Sequence, residues 1–217
     1  MNTYTHEKWI SETGVEFGYL RYLPEDYEKG ESFPLVIFLH GAGERGNDLE
    51  KVAVHGYLKH VREGMSYPFI CVAPQCPDEK YWGCFTESLL AFVDFAVENL
   101  KVDKARVYLT GLSMGGTGTW MLAMAAPEKF AAIVPVCGSG ICWYGEALKN
   151  VPVFAYHGDC DEVVPAYESV NMAGRVNQRG GFAKVKIIPG RGHNVWEDAY
   201  SDDELLSWLL SQVKQSE

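Results

Sequence analysis

The 217-residue sequence contains no stretch of 18 consecutive apolar residues, which is about the length that a membrane-spanning helix requires. Its first residues also lack the basic segment followed by an apolar segment that is typical of a secretion signal. We therefore expect no membrane-spanning helix. We expect either a cytoplasmic protein or the mature domain of a longer secreted precursor.

Basic residues are scarce relative to acidic ones, with 19 Lys and Arg against 29 Asp and Glu and a formal net charge of −10 at pH 7. Nucleic acids and anionic membrane surfaces attract clustered Lys and Arg, so neither is expected as a partner. The hydrophobic share of 47% and the charged share of 22% are ordinary for a globular protein. At this length we expect residues 1–217 to form a single catalytic domain.

The six cysteines follow no metal-ligand spacing and include no C-x-x-C pair, which argues against a zinc site and a redox motif. Cys71 and Cys137 lie in apolar segments and are expected to be buried thiols. A bridge between Cys76 and Cys84, or between Cys137 and Cys142, is the alternative in an oxidising compartment. We expect no metal and no organic cofactor.

Apolar strand-like segments alternate with helical segments, and the chain has no internal repeat or low-complexity tract. This alternation predicts an α/β fold with a mostly parallel sheet covered by helices on both faces. Residues 15–23 alternate aromatic and polar side chains, as an early antiparallel edge strand would. The other predicted strands are 34–39, 69–73, 106–110, 131–137, 151–157 and 183–188, and the predicted helices are 86–100, 117–126 and 202–213.

Residues 111–115, Gly-Leu-Ser-Met-Gly, form a G-x-S-x-G pattern between the strand 106–110 and the helical stretch 117–126. This context predicts a nucleophile elbow, a sharp turn that exposes a serine hydroxyl above the sheet. The glycines leave room where side chains would clash, and the turn directs the first amides of the helix toward the group under attack. Ser113 is therefore the candidate nucleophile.

A serine nucleophile needs an adjacent base, usually an imidazole that a carboxylate orients. Only His157 and His193, of six histidines, follow Ser113 along the chain. His193 lies in a glycine-flanked loop after the strand 183–188 and is the favoured base, with an ordinary exposed histidine as the alternative. His157 ends its strand before a glycine, and we expect it to orient that turn rather than act as the base.

Three carboxylates follow the strand 151–157 and could orient the base: Asp159, Asp161 and Glu162. We favour Asp161. Asp159 is expected to be a turn residue that binds its own backbone, and Glu162 is expected to be solvated. These candidates and His193 lie just past the ends of strands, as Ser113 does, and that edge of a parallel sheet is where ligands bind.

Residues 40–46, His-Gly-Ala-Gly-Glu-Arg-Gly, follow the apolar strand 34–39. Three glycines let the backbone approach a substrate, which an oxyanion hole requires, although a plain glycine turn is the alternative reading. The expected donors are the amides of Ala42 and Met114. The polar side chains are expected to hold the loop in shape, Glu44 and Arg45 as a pair and His40 through the backbone.

Segments 39–43, 111–116, 157–161 and 192–193 together resemble the phospholipase/carboxylesterase branch of the α/β-hydrolase superfamily. The chain also resembles the neighbouring feruloyl-esterase and polyhydroxybutyrate-depolymerase-like esterases. The resemblance implies an α/β-hydrolase fold. Only residues 45–67, 75–85 and 138–148 could overhang the predicted catalytic edge, so we expect a minimal lid or none. The resemblance also implies that the second aspartate of His-Gly-x-x-Asp is the triad acid, and that the residue after His-Gly supplies an oxyanion amide.

These implications support Asp161 over Asp159 and support Ala42 as a donor. One departure concerns the residue after the nucleophile, which is usually Gln in the acyl-protein thioesterases of this branch and is Met114 here. A lipid-deacylating function is weakened accordingly.

Three tryptophans lie beside the segments that follow the predicted strands: Trp82, Trp143 and Trp196. We expect them to line an aromatic, shallow substrate cleft, which suits a planar acyl group or a sugar face better than a long alkyl chain. The sequence therefore predicts a serine carboxylic-ester hydrolase for short-chain or aromatic esters of the feruloyl or acetyl type. The expected partner is a small-molecule or polysaccharide-linked ester.

Other functions remain as alternatives. A serine peptidase would use the same triad, but such relatives usually carry an additional propeller or cap. A lysophospholipase or thioesterase would share the fold. A non-catalytic binding module of hydrolase shape is disfavoured, because such proteins usually lose a triad residue and none is missing here.

Overall fold

The computed structural model describes residues 3–214. Within them, one sheet contains eight strands: β1 (Thr5–Ile10), β2 (Glu16–Tyr22), β3 (Phe33–Leu39), β4 (Ile70–Pro74), β5 (Val102–Leu112), β6 (Ala132–Val136), β7 (Val153–Gly158) and β8 (Ala183–Ile188). Their order across the sheet is β1-β2-β4-β3-β5-β6-β7-β8. Strand β2 pairs antiparallel with β1 and β4, and the neighbours from β4 to β8 are parallel. The predicted α/β-hydrolase architecture is confirmed.

Helices cover both faces of this sheet. They are α1 (Gly56–Arg62), α2 (Thr86–Asn99), α3 (Met114–Ala125), α4 (Tyr167–Gln178), α5 (Trp196–Tyr200) and α6 (Asp203–Ser211). Helices α2, α3 and α4 pack on one face, and α1, α5 and α6 pack on the other. In α2, for example, Leu89, Phe92, Val93 and Ala96 are buried, because residues spaced by three or four positions share one side of a helix. None of the helices within residues 3–214 combines the length and apolar character needed to cross a membrane.

The first strands differ from the sequence prediction. The segment predicted at residues 15–23 forms β2 and is antiparallel, as expected, but it is not at the edge of the sheet. Strand β1, which the sequence analysis missed, lies outside it. Its side chains are exposed or half-buried along its whole length, so it lacks the buried apolar residues that mark strands such as β3 and β7.

The cysteines are all free thiols. Cys71 and Cys137 are buried, as predicted, and neither candidate bridge is formed. Burial raises the pKa of Cys137 to about 12, which keeps its thiol protonated.

Parallel strands direct their carboxyl ends to one edge of the sheet, and the candidate catalytic segments all begin there. Strand β3 ends at Leu39 before the glycine-rich loop, and β5 ends at Leu112 before Ser113. Strands β7 and β8 end before the loops that carry Asp161 and His193. Residues far apart in sequence therefore lie at a single edge.

Candidate active site

The elbow between β5 and α3 holds Ser113 in strained backbone geometry, with φ 53° and ψ −115°. Glycine is required on either side of it. A Cβ atom on Gly115 would lie 1.9 Å from the carbonyl oxygen of Leu39, and one on Gly111 would lie 2.4 Å from that of Gly115. The amide of Ser113 donates to the carbonyl of Val136 at 2.9 Å, which ties the turn to β6. The tight turn thus positions the Ser113 side chain at the edge of the sheet.

A second strained turn, just after β6, packs against the nucleophile elbow. Cys137 has a φ of 42°, a conformation that non-glycine residues rarely adopt. A Cβ atom on the next residue, Gly138, would lie 2.3 Å from the carbonyl carbon of Gly116. The amide of Ser139 donates to the hydroxyl of Thr117 at 3.0 Å. The backbone after β6 is therefore pressed against the start of α3.

The structure brings Ser113, Asp161 and His193 together. The Nε2 atom of His193 lies 2.8 Å from Ser113 Oγ, and its Nδ1 atom lies 2.7 Å from Asp161 Oδ2. Because an ionised carboxylate only accepts hydrogen bonds, Nδ1 carries a proton and donates to it. In the neutral ring, Nε2 is then free to accept the proton of the serine hydroxyl.

Asp161 is a buried carboxylate with several donors around it, at 7% exposure. Its Oδ1 atom accepts the amides of Val163 and Val164, both at 2.9 Å. Burial raises the pKa of Asp161, but the hydrogen bonds from His193 and from these two amides outweigh it, and the pKa is lowered overall. Asp161 is therefore held as an anion beside the imidazole.

The two alternative acids, Asp159 and Glu162, have different surroundings from Asp161. Asp159 Oδ1 accepts the amide of Gly190 at 2.7 Å, so it joins two loops rather than binding its own backbone as expected. Glu162 is exposed. The alternative base, His157, is fully buried under the Asp161 loop and bonds to the carbonyl of Val164 at 2.8 Å. This contact agrees with the expectation that it orients the turn.

The loops that carry Asp161 and His193 are joined to each other. The amide of Cys160 donates to the carbonyl of Arg191 at 2.9 Å, and a Cβ atom on Gly158 would lie 2.2 Å from that same oxygen. The guanidinium of Arg191 in turn binds Asp198 at 2.7 Å. These contacts fix the spacing between the acid and the imidazole.

The predicted oxyanion loop is held by His40, which is 1% exposed. Its Nδ1 lies 2.6 Å from the carbonyl of Gly41, and its Nε2 accepts the amide of Cys76 at 2.9 Å, so the proton is on Nδ1. Trp82 Nε1 donates to the His40 carbonyl at 3.0 Å. Burial lowers the pKa of His40 to about 4, against the raising effect of the Gly41 bond, and Arg45 lowers it further. His40 shapes the loop through the backbone, as predicted.

Ala42 opens a 3-10 turn just after Gly41, and Met114 is the first residue of α3. A Cβ atom on Gly41 would lie 2.8 Å from the side chain of Leu112, so the loop is packed directly against the elbow. The two candidate oxyanion amides therefore belong to neighbouring segments at the same edge.

The prediction that Glu44 and Arg45 form a pair is wrong. Arg45 instead donates to the carbonyls of Ala42 at 2.8 Å and Lys80 at 3.2 Å, and it lies over the ring of Tyr81. Arg45 thus holds the loop through backbone oxygens. Within residues 3–214, the Oε2 atom of Glu44 is buried without a hydrogen-bond partner.

The three candidate pocket tryptophans have different surroundings. Trp82 is 1% exposed and packs in the core, so the expectation that it lines an open cleft is wrong. Its indole supports the candidate oxyanion loop through the carbonyl of His40. Trp143 is 83% exposed on the segment after β6. Trp196 lies edge-on to the imidazole of His193, with ring centroids 5.7 Å apart.

Sequence reasoning did not identify the network of His40, Cys76 and Trp82, nor the buried contact of His157 with Ser169. The position of His40 between an apolar strand and a glycine-rich loop is the sequence feature that could have indicated this network. Ser169 carried no signal, because a serine inside a helical segment is common on a solvated face. Only the packing of α4 against β7 reveals it.

The mostly parallel sheet and the serine, imidazole and carboxylate at its carboxyl edge define an α/β-hydrolase. Residues 10–172 match the family model described as "Putative esterase". This match covers more than half of the chain, and the chain belongs to this esterase family.

Similar proteins have related descriptions. The chain is 26% identical over 189 residues to the "Probable feruloyl esterase C" of Aspergillus terreus, covering 83% of this chain and 69% of that protein. It is 33% identical over 136 residues to the "Bifunctional acetylxylan esterase/xylanase XynS20E" of Neocallimastix patriciarum, covering 60% of this chain and 20% of that protein. A solved thermostable esterase superposes with a TM-score of 0.85 at 29% identity, over 97% of this chain and 63% of that one. The chain thus spans less than two thirds of two of these three proteins.

Proposed function

We propose that this esterase is a serine enzyme that works through an acyl-enzyme, with Ser113 as nucleophile, His193 as base and Asp161 as the orienting acid. The observation that carries the proposal is the unbroken chain of hydrogen bonds from Asp161 Oδ2 through the imidazole to Ser113 Oγ, with links of 2.7 and 2.8 Å. Both distances are those of well-formed hydrogen bonds.

In the first half-reaction, Ser113 Oγ attacks the ester carbonyl carbon while His193 Nε2 takes the hydroxyl proton. Asp161 stabilises the imidazolium that forms. The negative charge that develops on the carbonyl oxygen is held by the amides of Ala42 and Met114. The bond to the alcohol then breaks, and His193 gives its proton to the departing oxygen.

In the second half-reaction, water attacks the acyl-enzyme while His193 takes one of its protons. The bond between the acyl carbon and Ser113 Oγ breaks, the serine regains its proton from His193, and the carboxylic acid leaves. Every proton passes through the same imidazole, and the reaction consumes only ester and water. No metal or organic cofactor enters these steps.

We propose short-chain or aromatic acyl groups as substrates, on a small molecule or a polysaccharide. The exposed indole of Trp143 and the indole of Trp196 beside His193 support this proposal, because flat aromatic faces suit planar acyl groups and sugar rings. The described activities of the two relatives, feruloyl and acetylxylan esterase, agree with it.

Replacement of the proposed nucleophile tests the mechanism. Ser113→Ala should lower kcat for p-nitrophenyl acetate by roughly 10⁴-fold or more, because no other group can form the acyl-enzyme. It should also abolish labelling by a fluorophosphonate probe. Ser211→Ala, a matched change at the exposed end of α6, should leave both unchanged. Near-normal turnover in Ser113→Ala would contradict the assignment.

A further inference from the structure

A second imidazole contacts the carboxylate of the proposed triad. His157, near the end of β7, is fully buried, and its Nε2 atom lies 3.2 Å from Asp161 Oδ2 and 2.8 Å from the carbonyl of Val164. Its Nδ1 atom lies 2.7 Å from the hydroxyl of Ser169 on α4, which is also fully buried. The steps proposed above assign no role to either residue.

The partners of His157 determine where its proton lies. Both groups that face Nε2, the Val164 carbonyl and the Asp161 carboxylate, can only accept, so Nε2 must carry a hydrogen. In the neutral ring, Nδ1 is then an acceptor. The hydroxyl of Ser169 lies 2.7 Å from Nδ1 and 3.4 Å from the carbonyl of Gly138, so the shorter contact to Nδ1 takes its hydrogen. Ser169 thereby favours the tautomer that keeps a hydrogen on Nε2, the atom that bonds to Val164 and lies 3.2 Å from Asp161 Oδ2.

This arrangement surrounds Asp161 with polar contacts. Its Oδ1 atom accepts the amides of Val163 and Val164, its Oδ2 atom accepts Nδ1–H of His193, and His157 Nε2 lies 3.2 Å from the same Oδ2 atom. His157 Nε2–H donates to the carbonyl of Val164, the residue whose amide binds Oδ1. Rotation of the carboxylate away from His193 would therefore break its bonds to this turn and its close approach to His157.

We propose that His157 and Ser169 are positioning residues that hold Asp161 Oδ2 in line with His193 Nδ1. The proposal rests on the triad proposed above and adds two residues behind it. The titratable group beside the pair is Asp161, which lies 3.2 Å from His157 Nε2 and interacts in turn with His193 and with the thiol of Cys137, just after β6.

Two amide variants separate the two ends of the imidazole. In His157→Gln the amide nitrogen reaches as far as Nε2 and can still donate to Val164 and Asp161. In His157→Asn it reaches only as far as Nδ1, so it keeps the contact with Ser169 and loses the donor toward Asp161. We expect His157→Asn to lower kcat for p-nitrophenyl acetate roughly 10-fold with little change in KM, because the N–H group that holds the Val164 turn and lies beside the Asp161 carboxylate is lost. His157→Gln should restore most of the loss.

Two further readouts distinguish positioning from a merely structural role. In His157→Asn the acid limb of the kcat/KM profile should move to lower pH, because a less aligned Asp161 stabilises the His193 cation less. The downfield proton NMR signal of the His193–Asp161 hydrogen bond should weaken or shift. In Ser169→Ala both changes should be smaller and in the same direction.

Thr110→Val provides the matched control, because Thr110 is also fully buried and its hydroxyl bonds only to Val134 and Tyr200. It should leave the pH profile and the NMR signal unchanged. Equal kcat values for the Gln and Asn variants, or an unmoved proton signal in His157→Asn, would overturn the inference. The NMR signal tests the positioning role even if the wild-type protein hydrolyses no ester. Failure of this inference can therefore be distinguished from failure of the proposed function.

Discussion

At the scale of single residues, His40 links the protonation state of one side chain to the shape of the oxyanion loop. Both ring nitrogens are used, one as donor to Gly41 and one as acceptor from Cys76. A second proton would fall on the nitrogen that accepts the Cys76 amide, and that hydrogen bond would be lost. The loop therefore requires a neutral His40.

This requirement predicts how stability depends on pH. The pKa of His40 falls from an ordinary 6.5 to about 4 on folding, so the unfolded chain binds more protons between those values and stability rises with pH across them. The His40 contribution should be complete above pH 6.5 and should fall by roughly 3 kcal/mol as pH is lowered to 4. Urea unfolding at a series of pH values measures it.

The comparison of two histidine variants isolates this effect from other titrating groups. His40→Gln should remove most of this slope between pH 6.5 and 4, whereas His6→Gln, at an exposed site, should retain it. A slope as steep in His40→Gln as in the wild-type protein would contradict the assignment.

Single residues also show which parts of the site could be predicted from the sequence. Ser113, Asp161 and His193 could be selected because each follows a strand in a motif with a defined chain order. The burial of Trp82 and the contacts of Arg45 with Lys80 and Tyr81 could not be predicted, because they depend on segments that only the folded chain brings together.

At the scale of elements, the contact between the start of α3 and the end of β3 sets the position of the nucleophile. The Cβ position of Gly115 lies 1.9 Å from the Leu39 carbonyl oxygen and 2.7 Å from that of His40. Both obstacles are backbone atoms, so a side chain here cannot be accommodated by a rotamer change. The helix would have to move away from the strand.

Gly115→Ala should therefore displace the elbow. We expect a loss of roughly 1–3 kcal/mol in the free energy of unfolding and a fall in kcat of about 100-fold or more, since misplacement by about 1 Å has that effect. Urea unfolding and p-nitrophenyl acetate hydrolysis measure the two quantities.

Gly174→Ala in α4 provides the control, because a Cβ atom at that position meets nothing within 4 Å. It should raise stability by about 0.5–1 kcal/mol through helix propensity and leave activity unchanged. Equal effects of the two substitutions would show that the approach of β3 to α3 does not constrain the site.

Elements with a buried apolar run were predictable from the sequence. Strands β3 and β7 are apolar and buried over most of their length, and the predicted segments 34–39 and 151–157 overlap them closely. Strand β1 was not predictable from the sequence. It is defined by its hydrogen bonds to β2 and by the packing of Trp9 against the core, and not by an alternating pattern. The position of β2 inside the sheet follows from β1 and was missed for the same reason.

At the scale of the whole molecule, the proposed site lies at the carboxyl edge of the parallel strands. Within residues 3–214, short 3-10 segments follow the strands at this edge, such as Ala42–Glu44, Trp82–Phe85 and Cys142–Leu148. We propose that such short turns leave a shallow cleft with little depth for a long alkyl chain. Acyl length should therefore govern the rate.

We expect kcat/KM to be highest for p-nitrophenyl acetate and butyrate, to decline through octanoate and to be lowest for palmitate, with methyl ferulate also hydrolysed. Trp143→Ala should lower kcat/KM for methyl ferulate by roughly 2- to 12-fold and spare the acetate, because a stacking contact is lost. Phe182→Ala, at another exposed ring distant in sequence from these loops, is the control. A preference for acyl chains longer than decanoate would contradict the shallow cleft.

The close packing of Gly138 against Gly116 divides the backbone after β6 into two parts with different surroundings. Up to Gly138 the chain is locked against the nucleophile turn, whereas the segment beyond it, Cys142–Leu148, carries Trp143 into solvent. Replacement of residues 142–148 should therefore change the surface around Trp143 while the turn that carries Ser113 keeps its position.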